Sequence, residues 1–179
     1  MKLYRDQNSI HETEQDRFRQ KKVLNIFSKT YGLEYEETPA LSGIDAILKS
    51  EFSRAVAEVK VRNIAVDLYP TYIIDAEKII NGLKQAGEDA FLLIVAWKDD
   101  IRYLHVSNYL DGRKPQDVFV TKKSKRSDRD EKADMVFHIP ISLFTPIYPH
   151  QYIGEETAGI GFCTVCFSDN MYDGKHFTD

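Results

Sequence analysis

The chain has 179 residues, of which 42% are hydrophobic, 29% charged and 12% aromatic, with a formal net charge of -4. This balance excludes a fibrous or intrinsically disordered chain, and the length supplies enough core that no disulfide framework is needed. The acidic balance gives no global signal for a polyanionic partner, so any contact with nucleic acid has to come from a local basic surface.

Residues 11–30 predict a first helix, because Phe18, Val23, Leu24, Ile26 and Phe27 recur at spacings of three and four and Tyr31-Gly32 stops the pattern. Residues 33–38 alternate Leu, Tyr and Thr with Glu before Pro39, the pattern of a strand. Two more strands are expected at about 43–49 and 54–62, joined by Ser50-Glu51-Phe52-Ser53, which is short and polar enough for a hairpin turn. In residues 73–86, Ile73, Ala76, Ile79, Ile80 and Leu83 share one side at helical spacing, and Gly87 follows as a C-terminal stop, giving a second helix. The apolar run at 91–97 suits a strand buried on both faces, with 101–106 pairing to it across Lys98-Asp99-Asp100. Residues 111–133 are polar and charged and are expected to form a loop or an incompletely ordered segment. A final strand at about 136–141 precedes Pro146 and Pro149, which break regularity. The order predicts an α/β fold, a mixed β-sheet flanked by helices, within one domain spanning residues 1–179. Residues 1–16 hold no apolar signal-peptide core, and no stretch approaches the roughly 18 to 20 apolar residues of a membrane span. An intracellular, cytoplasmic protein is therefore expected.

A period of two along the third strand places Val56, Glu58, Lys60 and Arg62 on one face and Ala57, Val59 and Val61 on the other. With the turn at Ser50 to Ser53, Lys49 pairs with Arg54. Counting back then sets Asp45 opposite Glu58, with Cβ atoms about 4.5 to 5.5 Å apart. A one-residue slip would turn Asp45 to the other face. Two carboxylates held this close destabilise a hairpin unless a cation sits between them or one takes up a proton. A hard divalent cation relieves the repulsion, and Mg²⁺ accepts such oxygen ligands while leaving positions for water and phosphate. Lys60 lies where an ammonium can orient or activate an attacking water, or stabilise charge developing on a phosphate. The plain alternative is that Glu and Lys are solvated neighbours on an exposed strand, against which stand the alternating pattern, the paired strand and the flanking helices.

Gly43-Ile44-Asp45, twelve intervening residues and Ala57-Glu58-Val59-Lys60 resemble the signature of the PD-(D/E)xK nuclease superfamily. The resemblance spans about residues 11–97 and is strongest to small stand-alone nucleases of bacteriophages and mobile elements. Ile44 stands where the name-giving proline would be, a position at which many members depart. The resemblance implies a restriction-endonuclease-like core, ligation of Mg²⁺ or Mn²⁺ by Asp45, Glu58 and the main-chain carbonyl of Val59, and Lys60 as the catalytic lysine. It also implies an acidic or amide side chain from the first helix. Projection at 100° per residue puts Asp16 near the centre of the buried side, Gln20 beside it, Glu12 at the margin and Glu14 pointing away. An acid on a core-facing stripe needs a partner, so Asp16 is the expected contributor, with Gln20 second and a frayed, solvated first turn as the alternative. Lys78 resembles a lysine that follows the catalytic strand in related phage nucleases. It is expected to contact phosphate, although periodicity sets it opposite the apolar stripe, where a plain surface lysine would also sit.

Lys122, Lys123, Lys125 and Arg126, continued by Arg129 and Lys132, form a basic cluster suited to gripping a phosphate backbone without sequence preference, and Arg62 is counted with it. Asp128, Asp130 and Glu131 limit its field. Cys163-x-x-Cys166 offers half of a zinc site with only His150, Asp169 and His176 nearby, so the thiols are expected to be core residues of a last strand and not zinc ligands. His11, His105 and His138 form no ligand pattern. The expected function is metal-dependent hydrolysis of DNA, with structured or branched DNA among the candidate substrates. DNA is the expected partner, a membrane is not, a homodimer is left open, and a phage-encoded chain would work in the host cytoplasm. The competing function is a nuclease fold without turnover that serves as a DNA-binding or assembly module. The intact Asp45, Glu58 and Lys60 argue against it.

Overall fold

Helix α1 (Glu14–Tyr31) seats Val23, Leu24 and Phe27 against one face of a six-stranded sheet. These and all further details come from a computed structural model, which describes residues 14–39, 42–111, 119–123 and 133–147. Glu12, Lys125, Arg126, Arg129, Lys132, Cys163, Cys166 and the histidines at 11, 150 and 176 lie outside the described residues, as does Asp169. The sheet runs in the order β1-β2-β3-β5-β6-β9, from β1 (Glu34–Glu37), β2 (Ala46–Lys49), β3 (Arg54–Val61), β5 (Ala90–Ala96), β6 (Ile101–His105) and β9 (Thr145–Pro146). Among the described residues only the β3–β5 pairing is parallel, and the chain crosses between these two strands through β4 (Thr71–Asp75) and helix α2 (Ala76–Ala86). The mixed sheet flanked by helices is the fold that the sequence predicts.

The hairpin keeps the expected register. Lys49 pairs with Arg54 and Ala46 with Ala57, and the Ser50 amide donates to the Ser53 carbonyl across the turn at 2.9 Å. The period-two alternation then sorts the strands into two cores. Ala57, Val59, Leu92, Ile94 and Ala96 pack under α1, while Val56, Phe91, Leu93 and Val95 face α2 and a second sheet. Glu58 and Lys60 share the parity of Val56 and so belong to the α2 face.

Three expectations are corrected. The second helix begins at Ala76 and not at 73. Thr71–Asp75 is instead strand β4, which pairs antiparallel with β8 (Ala133–Pro140). Ile73 and Ile80, assigned to the buried stripe, are 39% and 41% exposed, and the helix buries Ala76, Ile79, Gly82 and Ala86. The segment 111–133 is not all loop, because β7 (Phe119–Lys123) pairs with β8 and completes a three-stranded sheet β4-β8-β7. Lys122 and Lys123 therefore lie in a strand. Val106 opens a short helix α3 (Val106–Leu110), and Pro146 sits in edge strand β9, where its missing amide costs no ladder bond.

Candidate active site

Asp45 stands just before β2 in a loop fastened on several sides. Gly43 takes φ 82°, a left-handed value open to glycine, so the chain can turn sharply into Ile44, whose carbonyl accepts from the hydroxyls of Thr38 and Ser42. Gln85 of α2 donates to the Ser42 carbonyl. The Asp45 amide donates to the Ala57 carbonyl at 2.9 Å, its carbonyl accepts from the Thr38 amide at 3.0 Å, and its Oδ2 accepts from the Val59 amide at 2.7 Å. The backbone thus holds the carboxylate on β3, beside Glu58.

Glu58 has no solvent exposure at all. Two ammonium groups converge on its Oε1, Lys60 Nζ at 2.6 Å and Lys78 Nζ at 3.3 Å. Neither is aligned as a hydrogen-bond donor, and among the described residues both Glu58 oxygens lack one. Helix α2 packs closely on β5, where a Cβ at Gly82 would fall 2.2 Å from the Phe91 ring, and Lys78 lies one turn before that contact. The expected phosphate contact is thus also an ion-pair partner of the buried glutamate. Burial, and after it the charge of Glu58, pushes the Asp45 carboxyl up from 3.8 to about 6, against the opposing pull of Lys60, the Val59 amide and Lys78. The two acids are close enough to sense each other, as the hairpin count requires.

The first helix behaves differently. Asp16 is 42% exposed, lies 3.6 Å from Arg19, and is not the core-facing acid that the projection gives. Asp16 and the 46% exposed Phe18 both lie in the first turns of α1, and the residues that the helix buries begin only at Val23, so the N-terminal end projects past the packed surface. Gln20 is half-buried, on a helix that packs on the sheet face opposite to Glu58. Among the described residues no third carboxylate, imidazole or thiol joins Asp45 and Glu58. A cation held here would complete its shell with main-chain, water or substrate oxygens.

One neighbour was not anticipated. Arg62 Nη2 donates to the Tyr72 hydroxyl at 3.0 Å, and its guanidinium lies 5.4 Å from the centre of that ring. Tyr72 is buried against Trp97 and Phe144 in edge-to-face contacts of 5.8 and 5.9 Å, and burial pushes its hydroxyl up to about 12. Buried Tyr72 and Ile74 alternate with exposed Ile73 along β4, and in the sequence this alternation is hidden because Tyr72, Ile73 and Ile74 follow one another.

Residues 6–147 match the family described as "Phage putative PDDEXK endonuclease". No curated protein matches the chain. Among solved structures, the chain is similar to Hjc of Archaeoglobus fulgidus, a Holliday junction resolvase from an archaeal hyperthermophile. The identity is 12% and the TM-score 0.47, over 84% of this chain and 100% of that one.

Proposed function

Because the chain belongs to the PDDEXK phage endonuclease family, we propose that it is a divalent-metal-dependent nuclease that hydrolyses DNA phosphodiesters at Asp45, Glu58 and Lys60. The observation that carries this reading is Glu58: a fully buried carboxylate, without a hydrogen-bond donor among the described residues, beside a second carboxyl of raised pKa. Holding a carboxylate wholly out of water costs several kcal/mol, which the two lysines only partly offset, so a merely structural site has little use for it. A dication offsets that cost, so the residues fit the group. Asp45, Glu58 and the Val59 carbonyl would hold Mg²⁺ or Mn²⁺, which would supply charge neutralisation at the phosphate and a more acidic water.

The chain's own groups account for the rest. The Lys60 ammonium, paired with Glu58, is held at the charged end of β3, where it would orient the attacking water and offset negative charge growing on the phosphate oxygens. Lys78, half-exposed on α2, offers a second cation to the same region. Arg62, fixed on the Tyr72 ring and hydroxyl, is suited to hold a neighbouring phosphate through its planar fork. The basic residues 122 to 126 would add backbone affinity of a salt-dependent kind.

The purified protein should cut at least one of branched, single-stranded or duplex DNA when Mg²⁺ or Mn²⁺ is added, and none in EDTA. If none of these, nor RNA, is cut with either metal, the enzymatic reading fails and the DNA-binding or assembly module replaces it.

A further inference from the structure

The segment from Arg62 to Pro70, which joins the catalytic strand β3 to β4, is pinned along its length. The Arg62 amide donates to the Ala96 carbonyl at 2.8 Å, the Lys98 amide to the Ile64 carbonyl at 3.0 Å, and the Ile141 amide to the Pro70 carbonyl at 3.0 Å. Asp99 Oδ1 accepts from the Val66 amide at 2.9 Å. Ile64 and Val66 pack against the core. The loop's two ends are clasped side chain to side chain, Arg62 on Tyr72.

Within this anchored frame two large apolar residues face water: Leu68, 54% exposed, and Tyr69, 59% exposed. Single exposed apolar residues are common, but an adjacent Leu and Tyr on a loop held by so many bonds form a fixed apolar surface. Pro70 disfavours helical backbone at Tyr69, which limits the main-chain freedom lost on binding. Tyr69 is three residues from Tyr72, at most about 10 Å along the chain, and Tyr72 touches the arginine two positions beyond Lys60. The apex is thus close along the chain to the residue that holds Arg62.

We infer that Tyr69, with Leu68 beside it, is a stacking platform for an unpaired nucleobase of the DNA substrate, on the side of the site where Arg62 is suited to hold a phosphate. The inference rests on the nuclease reading above and adds a substrate class to it: DNA carrying unstacked bases, such as a fork or flap. Asp67 at the same apex disfavours a phosphate there, which leaves the base face as the part of a nucleotide that fits, while Arg62, Lys60 and Lys78 serve the phosphates. An aromatic ring stacks on any base without sequence preference. In continuous duplex each base is already stacked on its neighbours, so the ring has nothing to add.

The test measures binding of the full chain, in EDTA, to a forked DNA with an unpaired arm and to a blunt duplex of equal length, for wild type, Tyr69→Ala, Tyr69→Leu and Tyr69→Phe. Tyr69→Ala and Tyr69→Leu are expected to weaken fork binding by roughly 5- to 100-fold, the affinity carried by one stacked base. They should change duplex binding less than twofold, and Tyr69→Phe should match wild type. On cleavable fork, the first two variants should raise KM and leave kcat unchanged. Equal losses on both DNAs, no loss on the fork, a Phe variant as weak as Ala, or a wild type without preference for the fork would each overturn the platform. Absence of cleavage by the wild type on every DNA removes the nuclease reading instead, and the binding comparison still decides the role of Tyr69.

Discussion

Strand β3 carries two ion pairs of the same length near its opposite ends, Arg54–Asp89 and Lys60–Glu58, each 2.6 Å. In the first, the two side chains are 48% and 29% exposed, whereas in the second Glu58 has no exposure. A solvated pair contributes about 0 to 1 kcal/mol, while a buried carboxylate carries a desolvation penalty of several kcal/mol that its partners only partly offset. Equal distances therefore describe unequal things. The end of β3 near the turn uses charge as surface, and the end that meets Asp45 holds charge in a place where stability alone would favour an apolar side chain.

The sharpest way to break this contrast is Glu58→Leu. Cleavage should fall by on the order of 10³-fold or more with loss of a central electrostatic group. The metal-free protein should melt at the same temperature or higher, because apolar replacement of a buried ion cluster is often neutral or stabilising by about 1 to 4 kcal/mol, and Lys60 and Lys78 can extend toward water. A variant that unfolds would make Glu58 a structural residue. Next, Lys60→Ala should lower kcat by about 10² to 10³-fold with KM nearly unchanged, since Lys78 still faces Glu58. A rise in KM at constant kcat would assign Lys60 to binding.

The pH response comes third. The folded Asp45 carboxyl, at about 6, holds its proton more tightly than the unfolded one at 3.8. Its contribution to the metal-free protein is fully present below the unfolded value and is lost as pH rises through about 6. Roughly 2 kcal/mol is expected, allowing for solvent screening at a half-buried group. Denaturation of wild type and Asp45→Asn between pH 4 and 7 should isolate it, with only the wild type losing this increment as pH rises. Parallel pH profiles would contradict it. Smallest of all, Arg54→Ala should change stability by about 1 kcal/mol or less and leave kcat alone, a result that chemical denaturation and a single rate measurement check together.

Much of this site is legible in the sequence because it is local. The turn at Ser50 to Ser53 fixes the register, and the register sets Asp45 beside Glu58 within a span of 14 residues. What is not legible depends on distant partners. Strand β4 passes for the start of a helix because Ile73 and Ile74 suit both, and its partner β8 is about sixty residues away in the chain. Lys78 reaches Glu58 from α2, whose close packing on Phe91 at Gly82 is a contact between elements that helical periodicity does not contain. Projection sets Asp16 on the buried side of α1 but does not tell where along the helix the packing starts, and burial begins only at Val23. Lys122 and Lys123 were lost among charges that hid a strand completed by β8.

The central claim is that Asp45 and Glu58 are held together to bind a divalent cation, and calorimetric titration of Mn²⁺ into the metal-free protein at pH 7 tests it most directly. Wild type should bind with measurable heat, and Asp45→Asn and Glu58→Gln, each confirmed folded, should each weaken binding by at least tenfold. Binding of Mn²⁺ that is the same in wild type and both variants, or absent from all three with and without DNA, would contradict the account.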